Sequence, residues 1–158
     1  MIVVSNSTPL IALSRINKFG LLREYFGEIY IPVEVFDEVV TRGGNLSGAK
    51  EAASAEWIKV DKVGNKIAVE SLSITLDKGE AEAIVLAREK DALLIIDDGD
   101  GRRTAESLGL KITGTLGILL LAQEDGKLDL KTAIDDLMAA GFRLREKEYK
   151  RILSLSKV

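Results

Sequence analysis

The sequence contains no cysteine and no histidine among its 158 residues. Without cysteine there can be no disulfide bond, no zinc–thiolate site and no thiol nucleophile. Without histidine there can be no Ser-His-Asp triad, no imidazole general base and no His-bound transition metal. Any chemistry must therefore use carboxylates, hydroxyls, lysines, amides or a hard cation. The 25 acidic residues make a carboxylate site for Mg²⁺ or Mn²⁺ the simplest expectation.

Long apolar runs, phosphate-binding loops and internal repeats are also missing from the sequence. No stretch is apolar enough to span a bilayer, and Met1–Val4 lacks the basic segment of a signal peptide, so we expect a cytoplasmic protein without a membrane partner. Gly114–Gly117 opens a predicted helix but lacks the lysine and the spacing of a P-loop. The size and the 46% hydrophobic content are typical of one folded domain, which we expect to cover residues 1–158.

Short apolar runs alternate with helical patterns along the chain. Runs that are continuously apolar, and do not alternate with polar residues, are typical of buried parallel strands. The predicted strands are Ile2–Val4, Ile29–Ile31, Trp57–Val60, Leu93–Ile96 and Lys111–Thr113. Residues 61–75 are predicted to be loop with some extended structure, and the chain from about 129 onward is predicted to be helical. The pattern indicates an α/β fold with a mostly parallel sheet covered on both faces.

Polar residues cluster where two of these strands end, at Ser5–Ser7 and at Asp97–Asp100. In parallel sheets, sites form outside the carboxyl ends of the strands. Successive strand side chains point to opposite faces, so Asp97 and Asp98 cannot both face one crevice while the strand continues. One of them, or Asp100, is a candidate N-cap of the next helix. Acids this close repel one another unless a cation or the two arginines that follow compensate their charge.

Two further acids lie on predicted helices. Glu80 shares a helix side with Ala83 and Ile84, so it should be partly shielded at the start of its helix. There it either serves as a cap and dipole partner or points into a polar cleft at the sheet edge. Glu38 falls on the same side of its helix as Glu34, away from the apolar face, so its spacing alone favours a solvent-facing position.

Six segments, taken in order, resemble the motifs of PIN-domain proteins, in a branch found in many archaea and bacteria. The segments are Val3–Leu13, Ile31–Val39, Gly79–Ile84, Leu94–Asp98, Arg102–Ala105 and Leu110–Gly117. The resemblance extends from Val3 to about Tyr149. It implies a three-layer α/β/α fold and a ribonuclease that holds Mg²⁺ or Mn²⁺ between acids from distant parts of the chain. It also implies RNA as a partner and, if the chain is the toxin of a toxin–antitoxin pair, an antitoxin protein.

The resemblance assigns the family's acids by position. They fall on Asn6, Glu38, Glu80 and Asp98, with Asp97 or Asp100 as an additional ligand. The implied catalytic residues are Glu38, Glu80 and Asp98, and the implied metal ligands are these three and Asp100. Ser7 or Thr8 matches the hydroxyl that often follows the first acid. The residues implied to bind nucleic acid are Asn6, Ser7, Thr8, Arg102, Arg103 and Thr115.

The sequence departs from the nuclease pattern at Asn6, where the motif has aspartate. An amide oxygen can contact a cation but brings no charge, so metal binding should be weaker than with four acids. Asn6 is expected to cap the following helix or to bind RNA instead. The carboxylates that remain still suit phosphodiester hydrolysis, because hard oxygens bind hard cations and a bound cation lowers the pKa of its water.

Three hypotheses follow from these residues. The first is a metal-dependent ribonuclease, and the second is a nucleic-acid-binding module with little or no catalysis. The third is a phosphate-linked signalling domain, suggested by the acid pair at a strand end but disfavoured because the first strand ends in Asn6. We also expect a homodimer, since the family commonly pairs. The apolar faces of the C-terminal helices would form its interface, through Leu137, Met138, Ile152 and Leu153.

Overall fold

The computed structural model describes residues 1–155, which contain one parallel sheet of five strands. The strands are β1 (Val3–Ser5), β2 (Ile29–Pro32), β3 (Ile58–Asp61), β4 (Leu93–Ile95) and β5 (Ile112–Thr113). They lie in the order β3-β2-β1-β4-β5, and every neighbouring pair is parallel. Val4 at the centre of β1 is level with Tyr30 on one side and Leu94 on the other. The predicted parallel sheet is therefore confirmed.

Ten α-helices surround the sheet within the described residues. They are α1 (Ser7–Arg15), α2 (Gly20–Phe26), α3 (Val33–Phe36), α4 (Ala49–Ser54), α5 (Lys66–Leu72), α6 (Lys78–Lys90), α7 (Gly99–Ser107), α8 (Thr115–Glu124), α9 (Leu130–Ala139) and α10 (Glu146–Leu155). A π-helical turn, Asp37–Thr41, continues α3 directly. Within residues 1–155, no helix has the length and apolarity needed to cross a membrane.

The prediction of loop for residues 61–75 was wrong, because α5 lies there. The side chain of Asn65 caps this helix by accepting a hydrogen bond from the backbone N–H of Ala68 at 3.0 Å. Val69 is its one buried residue, whereas the side chain of Ile67 is 80% exposed. A helix with so narrow a buried face leaves no regular apolar period in the sequence, which is why the pattern did not reveal it.

Side chains that alternate along the strands form a core on each face of the sheet. Val3, Ile29 and Ile95 pack on one face with residues of α1, α2, α8 and α9. Val4 and Leu94 pack on the other face with residues of α6 and α7. Because β-strand side chains point alternately to opposite faces, these continuous apolar strands require cover on both. The three-layer α/β/α architecture is thus confirmed.

The C-terminal helices pack onto the first of these cores. Leu137 is buried, and Ile152 and Leu153 of α10 pack against the core of their own chain. Of the four residues expected at a dimer interface, Met138 alone is exposed, at 40%. The apolar face from which a homodimer was expected is therefore largely used within the chain.

The connections open a crevice at the centre of the sheet. After β1 the chain builds β2 and β3 on one side, and then returns to place β4 on the other side of β1. Such a reversal of strand order leaves a gap beyond the carboxyl ends of the two central strands. Asn6 follows β1 and Asp97 and Asp98 follow β4, so the two polar clusters of the sequence meet at this gap.

Candidate active site

A small cleft of about 140 Å³ lies beyond the ends of β1 and β4. We call it the acidic cleft. Its lining comes from the start of α1, the π-helical turn, the start of α6 and the residue before α7, and consists of Asn6, Ser7, Thr8, Glu38, Asp77, Gly79, Glu80 and Asp98. The structure thus brings together the three acids that the resemblance implied, although they are far apart in the sequence.

Glu38 points toward the cleft and is half-buried. Its Oε2 accepts a hydrogen bond from Ser7 Oγ at 3.1 Å. Its Oε1 lies against the start of α6, at 2.0 Å from where a Cβ would stand on Gly79. Burial raises the pKa of Glu38, the nearby Asp77 and Glu34 raise it further, and the bond from Ser7 opposes the shift.

The expectation that Glu38 faces solvent was wrong. It rested on an α-helical period, but Glu38 lies in the π-helical turn, where the backbone N–H of Arg42 bonds the carbonyl of Asp37 at 2.7 Å. A π turn changes the angle between successive side chains, and such turns often occur at functional sites. Nor could a helical wheel show that Ser7 and Gly79, from two other segments, face this position.

Glu80 stands at the start of α6, in a capping box with Asp77. The backbone N–H of Glu80 donates to Asp77 Oδ1 at 2.8 Å, and Glu80 Oε1 accepts a longer bond, 3.4 Å, from the backbone N–H of Asp77. Both readings of Glu80 are therefore realised, since it caps a helix and lines the cleft. Its Oε2 is buried and has no hydrogen-bond partner in the part of the chain that the structure describes.

The electrostatic surroundings of Glu80 disfavour its charged form. Burial and the nearby carboxylates of Asp77 and Asp98 raise the pKa of Glu80 to about 8. Asp77 was not among the residues that sequence reasoning selected, although the spacing Asp77-x-x-Glu80 is a capping-box signature that could have indicated it. The cleft therefore holds more negative charge than the three implied acids alone.

Asn6 occupies the position of the family's first acid and is almost completely buried, with 4% exposure. Its backbone N–H extends the β1–β4 ladder by donating to the carbonyl of Ile95 at 3.2 Å. Its side chain does not cap α1, contrary to one expectation, and Oδ1 has no hydrogen-bond partner within residues 1–155. The helix begins at Ser7, so Pro9 falls within its first turn, where the missing N–H of proline needs no partner.

The two acids after β4, which lie beyond the end of the strand at Ile95, have different hydrogen-bond partners. Asp98 Oδ2 accepts from the backbone N–H of Gly101 at 3.0 Å and so caps α7 at the rim of the acidic cleft. Asp97 instead bonds the start of α8, accepting from the backbone N–H of Thr115 at 2.7 Å and from its Oγ1 at 2.6 Å. Burial raises the pKa of Asp97, and these two bonds and the charge of Arg102 oppose the shift.

Four residues implied by the resemblance lie outside the acidic cleft. Asp100 is exposed, pairs with exposed Arg103, and does not line the acidic cleft, so the structure does not bring it to the other proposed metal ligands. Thr115 is completely buried, and its hydroxyl is bonded to Asp97, so it is not accessible to RNA. Arg102 is half-buried and donates to the carbonyl of Ile96 at 2.8 Å.

The chemistry of the cleft fits a hard divalent cation. Two buried side-chain oxygens of its lining, Asn6 Oδ1 and Glu80 Oε2, have no hydrogen-bond partner within residues 1–155, although buried oxygens normally have one. Oxygen atoms are the ligands that a hard divalent cation prefers. The two carboxylates Glu38 and Glu80 have raised pKa values, and the charge of Arg42 opposes the shift of Glu38 only in part. As the side chains stand in residues 1–155, no three acids are grouped closely enough to hold an ion, so binding would require side chains of the cleft to move.

The comparisons with known proteins identify the family of this chain. The model of the family DUF3368, a PIN domain, matches residues 2–158, which is almost the whole chain. This chain belongs to the PIN-domain family. No curated protein sequence matches it significantly. PIN domains are generally nucleases that bind nucleic acid and use divalent metals, and the expected family is thus confirmed.

A solved structure supports the fold independently. A PilT N-terminus domain protein, SSO1118, from the hyperthermophilic archaeon Sulfolobus solfataricus P2 superimposes with a TM-score of 0.50 over 92% of this chain and 98% of its own. The two sequences are only 18% identical, so the similarity shows a shared architecture and nothing about function.

Proposed function

We propose that this PIN domain is a ribonuclease that depends on Mg²⁺ or Mn²⁺, with Glu38, Glu80 and Asp98 as its catalytic acids. The observation that carries the proposal is the acidic cleft itself. Acids from the π-helical turn, the start of α6 and the cap of α7 meet at the switch point of the sheet. Their residue types suit a hard cation and phosphodiester hydrolysis, and no histidine is needed.

Each residue of the cleft then has a defined part. Glu38 and Glu80 would hold the cation, with Asp98 at the exposed rim and Asn6 Oδ1 as a neutral donor. Ser7 orients Glu38 by its hydrogen bond, and Asp77 holds the backbone of Glu80 through the capping box. When bound, a divalent cation would neutralise charge on the phosphate and lower the pKa of a water molecule.

Cleavage of single-stranded RNA in the presence of Mn²⁺ tests this proposal. Replacing Glu80 by Gln keeps the shape of the side chain but removes its charge, and should lower the cleavage rate by at least roughly 100-fold. Glu70→Gln is a suitable control, because Glu70 is exposed on α5, outside the cleft. A Glu80→Gln protein that cuts as fast as this control would contradict the assignment.

A second function, binding nucleic acid with little or no catalysis, is favoured by one observation. The first acid position holds a neutral, buried Asn6, which lowers the charge available to a cation. Calorimetric titration with Mn²⁺ separates the two functions. A dissociation constant of tens of micromolar or tighter, lost in the Glu80→Gln protein, would count against a non-catalytic site.

The toxin role, an antitoxin partner and a homodimer are supported by the family resemblance alone. If the chain is a toxin, its expression should arrest bacterial growth, and Glu80→Gln should abolish the arrest. Growth that is equally normal with both proteins would contradict the toxin role. Light scattering that gives the mass of one chain would contradict the homodimer.

A further inference from the structure

A second and larger cavity, of about 670 Å³, adjoins the acidic cleft. The two cavities share Thr8 and Asp98 in their linings, so they form one continuous depression. The larger one runs between α1, the start of α7 and the segment that joins α9 to α10. We call it the arginine groove, because four arginines line it: Arg15, Arg102, Arg143 and Arg145.

Most of the donor capacity of these arginines is still available. A guanidinium has about five N–H donors. Arg15 donates to the carbonyl of Ala140 at 3.2 Å, and Arg145 donates to Glu148 at 2.7 Å, each through one nitrogen. Arg143 is exposed and makes no hydrogen bond or ion pair with the residues that the structure describes. The groove therefore offers several charged donors to a ligand.

The three acids in the same lining do not neutralise all of the positive charge of the arginines. Asp97 is bonded twice by Thr115, and Glu148 is paired with Arg145. Asp98 lies at the junction with the acidic cleft, where it caps α7. Beyond that junction the accessible charge in the groove is positive, which suits an anionic ligand that also reaches the acids.

The position of Arg102 is tightly set by its neighbours. A Cβ on Gly114 would lie 2.6 Å from Asp97 Oδ1 and 2.8 Å from Arg102 Nη1. No side chain could stand there without displacing one of these groups, so glycine allows the close approach. Arg102 is thus held beside the capped start of α7, at the end of the groove that is nearest Asp98.

We propose that the arginine groove binds the backbone phosphates of single-stranded RNA next to the bond that the acidic cleft cuts. This inference rests on the proposed function of the cleft. Guanidinium groups bind phosphate with charge-assisted hydrogen bonds, and single strands favour basic grooves that also offer faces on which bases can stack. Half-buried Phe142 supplies such a face.

Equilibrium binding of a short, labelled single-stranded RNA tests the groove without catalysis, in buffer that contains a chelator in place of a divalent cation. The variant is Arg143→Gln/Arg145→Gln, two exposed residues whose replacement should leave the fold intact. We expect roughly tenfold weaker binding and a salt dependence that falls by about 0.7 per lost phosphate contact. Arg88→Gln, on the exposed face of α6, removes one positive charge, half of the change in the double variant, away from the groove.

The outcomes separate the groove from the catalytic proposal. If the unmodified protein binds RNA more tightly than the double variant but does not cut it with Mn²⁺, the groove proposal is supported and the nuclease proposal is not. If it cuts RNA, but the double variant binds as tightly and with the same salt dependence as Arg88→Gln, the groove proposal is overturned. Equal binding of single-stranded DNA would support the phosphate contacts but overturn the preference for RNA.

Discussion

The acidic cleft and the arginine groove meet at Thr8 and Asp98, yet they hold their charges in opposite ways. Glu38 and Glu80 in the cleft are half-buried, and burial is the main reason that their pKa values are raised. The arginines at the far end of the groove are exposed, with the side chain of Arg145 at 87%. Charge is therefore destabilising in the cleft until a cation arrives, whereas water already stabilises it in the groove.

The difference predicts how each region responds to mutation. Cleft residues should be sensitive to changes of a single atom, because their positions depend on close contacts between segments. Groove residues should act more nearly as independent charges, whose removal weakens binding by similar amounts. The following predictions test this contrast, beginning with the largest expected effect.

Gly79→Ala should damage the cleft without unfolding the protein. The new Cβ would stand 2.0 Å from Glu38 Oε1, and the flexible end of Glu38 would be forced out of the cleft. We expect roughly 100-fold lower Mn²⁺-dependent cleavage, as for the loss of a group that orients a metal ligand, with little change in melting temperature. Gly20→Ala is the matched control, since no atom lies within 4 Å of its added Cβ. Equal activity of the two variants would show that the position of Glu38 is unimportant.

Thr115→Val should destabilise the part of the arginine groove that Asp97 lines. Thr115 Oγ1 donates to Asp97 Oδ2 at 2.6 Å, and valine leaves that buried carboxylate oxygen without this donor. The free energy of unfolding, measured with urea, should fall by about 2 kcal/mol. Thr132→Val removes a similar bond to Asp129 at an exposed site and should have a smaller effect. A larger effect at Thr132 would contradict the importance of burial.

Asn6→Asp should strengthen cation binding in the cleft. The substitution adds a carboxylate at a site that is 4% exposed and beside Glu80 in the cleft lining. Calorimetry should show about tenfold tighter Mn²⁺ binding, since added ligand charge raises affinity. Without a cation, the same protein should melt at a lower temperature than the unmodified one. Unchanged affinity would mean that Asn6 does not face the ion.

The raised pKa of Glu80 should make stability depend on pH in cation-free buffer. In the folded state this pKa is about 8, against 4.5 ordinarily, so the folded protein retains the proton where the unfolded chain loses it. Stability from this group is therefore complete below pH 4.5 and is lost as the pH rises toward 8. Glu80→Gln cannot ionise at this position. Between pH 4.5 and pH 8, its melting temperature should therefore fall by about 3 °C less than that of the unmodified protein. If the melting temperatures of the two proteins changed equally with pH, the raised pKa of Glu80 would be contradicted.

The sequence allowed the sheet and most helices to be predicted because their signals are local. Continuous apolar runs indicated buried parallel strands, and Asp98 was a recognised candidate for a helix cap. The same reasoning failed at α5, which buries little, and at Glu38, where a π turn replaces the α-helical period. It also overlooked Asp77. The capping role of Asp77 depends on neighbouring residues, whereas its place in the cleft depends on residues far away in the sequence.

By itself, the sequence determined the architecture and excluded whole classes of chemistry. Residue types exclude imidazole and thiol chemistry outright, and apolar periodicity acts over only a few residues, so both can be read directly from the chain. Only the tertiary structure decided which oxygens share the acidic cleft, that Thr115 is bonded to Asp97, and that four arginines line one groove. Those relations join residues far apart in the chain, and their distances are set by how α1, α6, α7 and the α9–α10 segment pack around the sheet.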